Sequence, residues 1–222
     1  MALIYLLRHA ESVANENGVL AGQDFSVNLS KQGQRQAQLL VTEINKLEIK
    51  KSSQVFSSPL PRCLQTIKPF LDEKFNSRPA TILPEFIEMN YGDWQGEKLK
   101  KLARKKEWRT IQTKPAQFRF PNGESFTQAF KRVKNGLEFL AHINSDSVIV
   151  THGDIIKMAV AHALAIELNK FQKIHVSPAS LTVLRYEKND FQVVSVNRRL
   201  SESDNRLVRY RRIKALLGGS SA

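Results

Sequence analysis

The sequence has little of what several classes of protein require. Among 222 residues there is a single cysteine, Cys63, so no internal disulfide can form and a reducing compartment, the cytoplasm, is the expected location. The most apolar region, residues 148–166, is interrupted by histidine, aspartate and lysine, which predicts that no helix crosses a membrane. The first apolar run ends at Arg8 with no basic segment before it, unlike a signal peptide. P-loop and dinucleotide-binding fingerprints are both absent.

Acidic residues are scarce beside basic ones. The chain has 21 Asp and Glu against 34 Lys and Arg, a formal net charge of +13. Basic residues cluster in residues 198–222, which we expect to form a tail beyond the folded domain, and in residues 98–109. Because such charge attracts phosphorylated metabolites, nucleic acids and acidic lipids alike, it selects no single partner. The lack of an aromatic RNA-binding motif disfavours a nucleic-acid partner. Binding of nucleic acid by the basic tail remains an alternative because of the charge of the tail.

What the chain does have is two apolar segments that each run into a histidine. The first, residues 3–7, ends at Arg8 and His9, and the second, residues 148–151, ends at His152. Both patterns predict buried strands, and ligands of α/β sheets bind at the carboxyl ends of such strands. If the two strands are neighbours, the two histidines face one site.

The remaining pattern alternates strands with helices. Strands are predicted at residues 3–7, 54–57, 80–83, 148–151, 181–186 and 191–196, the last two as a hairpin. After a loop, helices are predicted behind a cap at residues 28–30, from Pro61, over 98–109, from 121–125 and after 151. This order predicts a three-layer α/β/α sandwich with a central, mainly parallel sheet. The two helices between the third and fourth strands are expected to cover the strand ends.

Five side chains together offer what phosphoryl transfer requires: Arg8, His9, Arg62, Glu88 and His152. A neutral imidazole is a nucleophile that takes a phosphoryl group and passes it on. Arginine forks hold phosphoryl oxygens in place better than lysines do. A carboxylic acid with a raised pKa, such as Glu88 in a covered pocket, protonates the leaving oxygen. No step of this chemistry requires a metal.

Four motifs resemble those of the histidine phosphatase superfamily, in its phosphoglycerate-mutase-like branch. They are LRHAESVAN at 7–15, SSPLPRCLQT at 57–66, EMNYGDWQG at 88–96 and THG at 151–153. They occur in the order typical of the family, and the resemblance covers about residues 3–197. A single domain over residues 1–197 is therefore expected, followed by the tail at 198–222.

The resemblance also implies roles for individual residues. His9 is expected to be the phosphorylated nucleophile, with Arg8, Arg62 and His152 forming the phosphate pocket and Glu88 as the proton donor. The competing carboxylate for the last role is Glu85, three residues earlier. The resemblance implies a small phosphorylated substrate, no cofactor and no metal ion.

Further expected substrate contacts come from a backbone turn and a side-chain amide. Asn15, six residues after the first histidine, is expected to contact phosphate, and Gly22 to line the site. Gly153, directly after the second histidine, is grouped with these substrate-binding residues. Oligomeric state is not addressed by any of these motifs.

Departures from the family pattern leave three functions open. Ala10 stands where the family usually has glycine, and its methyl group is expected to narrow the pocket or shift the backbone at a tight turn. Gln95 replaces a common acidic residue, which is expected to affect local packing. Ala14 replaces the tryptophan of glycolytic mutases, which favours phosphomonoester hydrolysis over phosphoglycerate-mutase-type transfer. The third possibility, suggested by the charge and by Ala10, is a non-catalytic basic module that binds nucleic acid or anionic surfaces.

Overall fold

The computed structural model describes residues 1–45, 47, 49, 53–143 and 145–199. The last described strand ends at Arg199, so the first two residues assigned to the tail belong to the sheet. The rest of the predicted tail lies outside the described residues, and its role stays a prediction. Within the described part of the chain, no helix is long and apolar enough to cross a membrane.

All six predicted strands are present. They are β1 Ala2–Arg8, β2 Gln54–Ser57, β3 Thr81–Ile82, β4 Ser147–Thr151, β5 Ser180–Glu187 and β6 Asp190–Arg199. The α-helices are α1 Val13–Glu16, α2 Lys31–Asn45, α3 Pro61–Lys74, α4 Leu99–Leu102, α5 Glu107–Thr113, α6 Phe126–His142 and α7 Gly153–Ala163. Short 3₁₀ turns join several of them.

The strands form one sheet in the order β3-β2-β4-β1-β5-β6. β1, β2, β3 and β4 pair in parallel, and β5 and β6 close the sheet as an antiparallel hairpin beside β1. The sheet is therefore mixed, with its parallel part in the predicted place. In the β1–β4 pairing, Arg8 lies beside Thr151, which brings the two ends that carry histidines together.

Helices cover both faces of the sheet. Ile4 and Leu6 of β1 pack on the side of α6 and α7, whereas Leu3 and Tyr5 pack on the side of α2 and α3. This alternation follows from the two-residue period of a strand, and β1 is buried along nearly its whole length because both faces are covered. The predicted three-layer α/β/α sandwich is confirmed.

Helix starts follow from local sequence chemistry. The Ser30 hydroxyl accepts a hydrogen bond from the Gly33 amide at 3.0 Å and so caps α2. Pro61 occupies the first turn of α3, where its missing N–H costs nothing. Ser125 and Gln128 form a reciprocal capping box at the start of α6. It fixes where the covering segment, the part of the chain between β3 and β4 that lies over the strand ends, rejoins the core.

Two local predictions were wrong. Residues 98–109 do not form one helix, because α4 ends at Leu102 and α5 begins only at Glu107. Like charges four residues apart, such as Lys100 and Arg104, disfavour a continuous helix there. The second error is the loop after β1, which contains the one-turn helix α1, capped by Ser12.

Candidate active site

The carboxyl ends of β1 and β4 open into a cavity of about 360 Å³. His9 and His152 stand directly after these strands, and their ring centroids are 5.2 Å apart. The predicted meeting of the two histidines is confirmed, because the parallel register places both strand ends at the same edge of the sheet.

The His9 ring is buried and oriented by its own backbone. Its Nδ1 lies 2.7 Å from the carbonyl oxygen of Ala10, so Nδ1 carries the proton that this bond requires. The lone pair is then on Nε2. Burial, followed by the positive charges of Arg62 and Arg8, holds the pKa of His9 well below its ordinary value. The imidazole is therefore neutral and nucleophilic.

Arg62 is held deep in the protein although it is charged. Its side chain is 1% exposed, and Nη2 donates to the Gly22 carbonyl at 2.7 Å and to His152 Nδ1 at 3.3 Å. A third bond, of 3.4 Å, runs from Nη1 to the Asp24 carbonyl. These acceptors fix the plane of the guanidinium at the cavity wall.

Arg8 lines the same cavity, and its buried Nε–H donor is unpaired among the described residues. Its Nη1 donates to the Val176 carbonyl at 2.6 Å. Buried donors in native proteins nearly always have an acceptor. Burial lowers the pKa of Arg8, whereas the charges of Glu88 and Asp154 oppose this shift. The unpaired Nε therefore suits an anionic oxygen in the cavity.

His152 is fixed by two polar partners. Since Arg62 donates to Nδ1, the proton of the ring is on Nε2, which lies 2.8 Å from the Ser58 hydroxyl. Burial, and then the charge of Arg62, lowers the pKa of His152 well below its ordinary value. Ser58 was not predicted as a site residue, although it lies in the quoted 57–66 motif.

Glu88 is one of two carboxylates that line the cavity, and Asp154 is the other. Glu88 Oε2 is 3.9 Å from His152 Nδ1, and its Oε1 accepts the Met89 amide at 3.0 Å. Burial, together with the nearby charge of Asp154, raises the pKa of Glu88 to about 7. The competing Glu85 does not line the cavity. The geometry thus selects Glu88 from the two candidates.

The predicted substrate-binding residues Asn15, Gly22 and Gly153 all line the cavity. Asn15 Oδ1 accepts from the Ser12 amide and hydroxyl, which leaves its NH₂ group for other acceptors. Gly22 has φ +54°, and a Cβ there would collide with the Gln95 side chain. A Cβ on Gly153 would lie 3.2 Å from Arg8 Cζ, so glycine allows the guanidinium to lie against the start of α7.

The expected narrowing by Ala10 does not occur. Its methyl group packs in a small apolar cluster with Leu29 and Ala37, and Ala10 does not line the cavity. Its φ lies outside the left-handed region, and its amide donates to Thr66 Oγ1 at 3.0 Å. The backbone that orients His9 is therefore compatible with alanine.

A polar chain that sequence reasoning missed runs along the wall beside Glu88. Tyr91 donates to Asp154 Oδ2 at 3.0 Å, and Lys157 Nζ lies 2.9 Å from Asp154 Oδ1 and 3.1 Å from Gln172 Oε1. Burial works against ionisation of Asp154, but Lys157 and Tyr91 hold its pKa below the ordinary value. Asp154 follows the THG motif and Tyr91 lies within the quoted 88–96 motif, whereas no local signal marks Gln172.

Two other possibilities for the site's chemistry find no support in the geometry. Among residues 1–45, 47, 49, 53–143 and 145–199, no group of three or more His, Cys, Asp or Glu side chains is arranged to hold a metal ion. Cys63 is fully buried, and burial raises the pKa of its thiol to about 12. It is therefore a packing residue rather than a thiolate nucleophile.

Comparison with known proteins places these features in a family. Residues 4–199 match the model of the histidine phosphatase superfamily (branch 1). Phosphoserine phosphatase 1 of Hydrogenobacter thermophilus is 28% identical over 203 residues, which are 89% of this chain and 92% of the relative. A 2,3-bisphosphoglycerate-dependent phosphoglycerate mutase of Thermoplasma acidophilum is 28% identical over 187 residues, 84% of this chain and 88% of the relative.

Solved structures share the fold of this chain. A crystal structure of a phosphoserine phosphatase mutant from Entamoeba histolytica, in complex with phosphoserine, superposes with a TM-score of 0.78. The superposition covers 89% of this chain and 97% of that one, at 21% sequence identity. At this identity the likeness concerns the fold alone.

Proposed function

This chain belongs to branch 1 of the histidine phosphatase superfamily, and from that premise we propose that it hydrolyses phosphomonoesters of small metabolites through phosphorylated His9. The observation that carries the proposal is the set of groups around one cavity. A neutral, oriented imidazole, the buried Arg62, the partly buried Arg8 and a carboxyl group with a raised pKa line the same space. This is the set that phosphoryl transfer through histidine requires.

In the first step, His9 Nε2 attacks the phosphorus atom and the P–O bond to the alcohol breaks. Arg8 and Arg62 stay charged throughout and hold the non-bridging oxygens, on which negative charge is spread in the transition state. Glu88 gives its proton to the departing oxygen, and a pKa of about 7 keeps much of this carboxyl group protonated at neutral pH.

In the second step, water attacks the phosphorus of phospho-His9 and the P–N bond breaks. Glu88, now a carboxylate, accepts the proton of the water, so it returns to its starting state as inorganic phosphate forms. His152, held by Ser58 and Arg62, is expected to donate to the phosphoryl group when Ser58 is displaced as its acceptor. No metal ion takes part in this scheme.

Mutase-type transfer is the second candidate, and it is supported by the relative from Thermoplasma acidophilum. The two reactions share phospho-His9 and differ only in the acceptor, which is water in one and a second substrate hydroxyl in the other. Phosphate release is therefore the measurement that separates them.

The test is phosphate release from a panel of phosphomonoesters, including 3-phosphoglycerate, by the parent protein and His9→Ala in EDTA. We expect the parent to release phosphate and His9→Ala to lose activity by a factor on the order of 10⁴ or more, as when a covalent nucleophile is deleted. The exposed His142, which contacts only the backbone of its own helix, provides the matched control His142→Ala.

Retained activity in His9→Ala would contradict the proposal. Silence of the parent on every ester would also contradict it, and would favour the mutase or the non-catalytic basic module. Base-stable, acid-labile phosphate on the parent protein would then favour the mutase over the non-catalytic module, because that lability is the chemical signature of phosphohistidine.

A further inference from the structure

One side of the cavity, away from the groups proposed to bind phosphate, is apolar. We call this surface the apolar wall, and it consists of Val19, Leu20, Trp94, Leu99, Trp108, Ile111, Phe120 and Phe126. Three of its aromatic rings pack against one another: the ring centroids of Trp94 and Phe120 are 5.4 Å apart, as are those of Phe120 and Phe126. Rigid aromatic surfaces of this kind bind flat apolar groups.

The apolar wall combines buried aromatic residues with one that is partly exposed. Trp94, Phe120 and Phe126 are buried, so they give the wall a fixed shape. Trp108 of α5 is only partly buried and therefore offers ring surface to a ligand. The volume of about 360 Å³ lies at the small end of ligand pockets, which suits one phosphoryl group and a compact organic body.

Charge along the cavity disfavours a second anionic group on the ligand. Besides Arg8 and Arg62, the only lysine or arginine among the residues that line it is Lys157, whose Nζ is held by Asp154 and Gln172. His175 also lines the cavity, and its Nε2 lies 3.1 Å from the Ser177 hydroxyl. A carboxylate beside the apolar wall would therefore meet the ionised Asp154 with no further lysine or arginine to pair with it.

The many basic residues nearby do not change this balance. The lysines and arginines between residues 98 and 109 are all exposed, and none of them lines the cavity. Lys105 lies over the outer side of the wall, with its Nζ 5.5 Å from the centroid of the Trp94 ring. These charges attract phosphate esters from solution, but they do not face a bound leaving group.

We propose that this site prefers phosphate esters of uncharged alcohols that carry an aromatic or similarly flat apolar group. Esters of hydroxy acids and amino acids, such as 3-phosphoglycerate and phosphoserine, are the disfavoured class. The apolar wall supplies the contact surface, and neutral groups on Gln112 and Gln172 supply hydrogen bonds. The proposal rests on the proposed function, since it concerns the alcohol released there.

The test compares kcat/KM for three esters of primary alcohols: benzyl phosphate, 4-carboxybenzyl phosphate and ethyl phosphate, with 3-phosphoglycerate and 2-aminoethyl phosphate alongside. We expect benzyl phosphate to exceed each of the others by about tenfold or more, the discrimination that an apolar pocket provides. The carboxybenzyl ester tests charge and the ethyl ester tests the apolar body.

Two variants assign the effect to the residues named. Trp108→Ala is expected to lower the benzyl-to-ethyl ratio of kcat/KM about tenfold. Asp154→Asn is expected to raise the carboxybenzyl-to-benzyl ratio by a similar factor, since it removes the negative charge and frees Lys157. Ratios cancel any loss of folded or active enzyme. Phe139→Ala, an exposed apolar residue outside the cavity, is the matched control and should leave both ratios unchanged.

The outcomes separate this inference from the proposed function. Phosphate release that depends on His9, with 4-carboxybenzyl phosphate, 3-phosphoglycerate or 2-aminoethyl phosphate equal to or better than benzyl phosphate, overturns the inference alone. Unchanged ratios in both variants overturn it as well. No release from any ester overturns the proposed function instead.

Discussion

Two regions of the site are built in different ways. One is the group proposed to bind phosphate, which we call the phosphate-binding end and which consists of Arg8, His9, Arg62, Glu88 and His152; the other is the apolar wall. Arg8, His9 and His152 stand directly at strand ends, so the sheet places them together. The apolar wall comes mainly from the segment between β3 and β4, which folds over the strand ends through α4, α5 and the start of α6. In the function we propose, the sheet carries the part that binds the phosphoryl group of any ester, and the covering segment carries the part that distinguishes one ester from another.

The two regions also differ in how they use charge. At the phosphate-binding end, Arg62 is buried and its donors are aimed by backbone carbonyls. On the covering segment, basic residues are numerous but exposed, and the surface they enclose is apolar. A net charge of +13 therefore says little about the site, where the guanidinium groups of the buried Arg62 and the partly buried Arg8 act at short range.

If proton transfer belongs to the phosphate-binding end, Glu88→Gln should produce the largest change after loss of the nucleophile. We expect kcat for an alkyl phosphate to fall by about 10³-fold, the scale of general acid catalysis. For 4-nitrophenyl phosphate the loss in kcat/KM, which reports only the transfer of the phosphoryl group to His9, should be small, because that leaving group needs no proton. Glu85→Gln, outside the cavity, is the matched control.

The pH profile gives this prediction a sign. The acid must be protonated to act, so kcat for an alkyl ester should fall as pH rises through about 7, the raised pKa of Glu88. The acidic limb should lie well below the ordinary histidine pKa, because His9 is neutral down to there. A basic limb that survives in Glu88→Gln would assign the proton to another group.

A smaller effect should separate the two regions directly. Arg62→Lys replaces a bidentate fork with a point charge, and we expect kcat/KM to fall about 10²-fold for every ester. The benzyl-to-ethyl ratio should stay constant, in contrast to Trp108→Ala. Arg35→Lys, on the exposed side of α2, is the control. A change in the ratio in Arg62→Lys would mean that the two regions are not independent.

The smallest effect is expected at Ala10. Because its methyl group packs away from the cavity, Ala10→Gly should change kcat/KM less than about threefold while lowering the free energy of unfolding by about 1 kcal/mol. Urea denaturation and steady-state kinetics on one preparation measure both. A large rise in kcat would show that the methyl group restricts the reacting groups after all.

Predictions about which residues meet at the strand ends succeeded because their signals are local. The apolar runs before Arg8 and His152 predict buried strands whatever surrounds them, and parallel pairing then places both strand ends at one edge. The 57–66 motif likewise starts a helix at Pro61, which delivers Arg62 from its first turn. In each case a few adjacent residues determine both the element and the direction of the side chain.

The helix predicted over residues 98–109 failed because its pattern was incomplete. Apolar residues recur there at helical spacing, but the like charges between them weaken a continuous helix. Two short helices form instead, and each buries one residue in the core: Leu102 in α4 and Ile111 in α5. That outcome depends on partners far away in the sequence.

By itself, then, the sequence determined the α/β class and the strand ends, since these depend on periodicity and on neighbours within a few residues, and the resemblance of its motifs to a family indicated which residues meet around the cavity. Only the tertiary structure decided that Arg8 is held by Val176, 168 residues away, that Glu85 stays outside the cavity, and that Tyr91 binds Asp154. Contacts of that range exist only once the chain is packed, because burial selects which side chains meet and the desolvation that follows sets their pKa values.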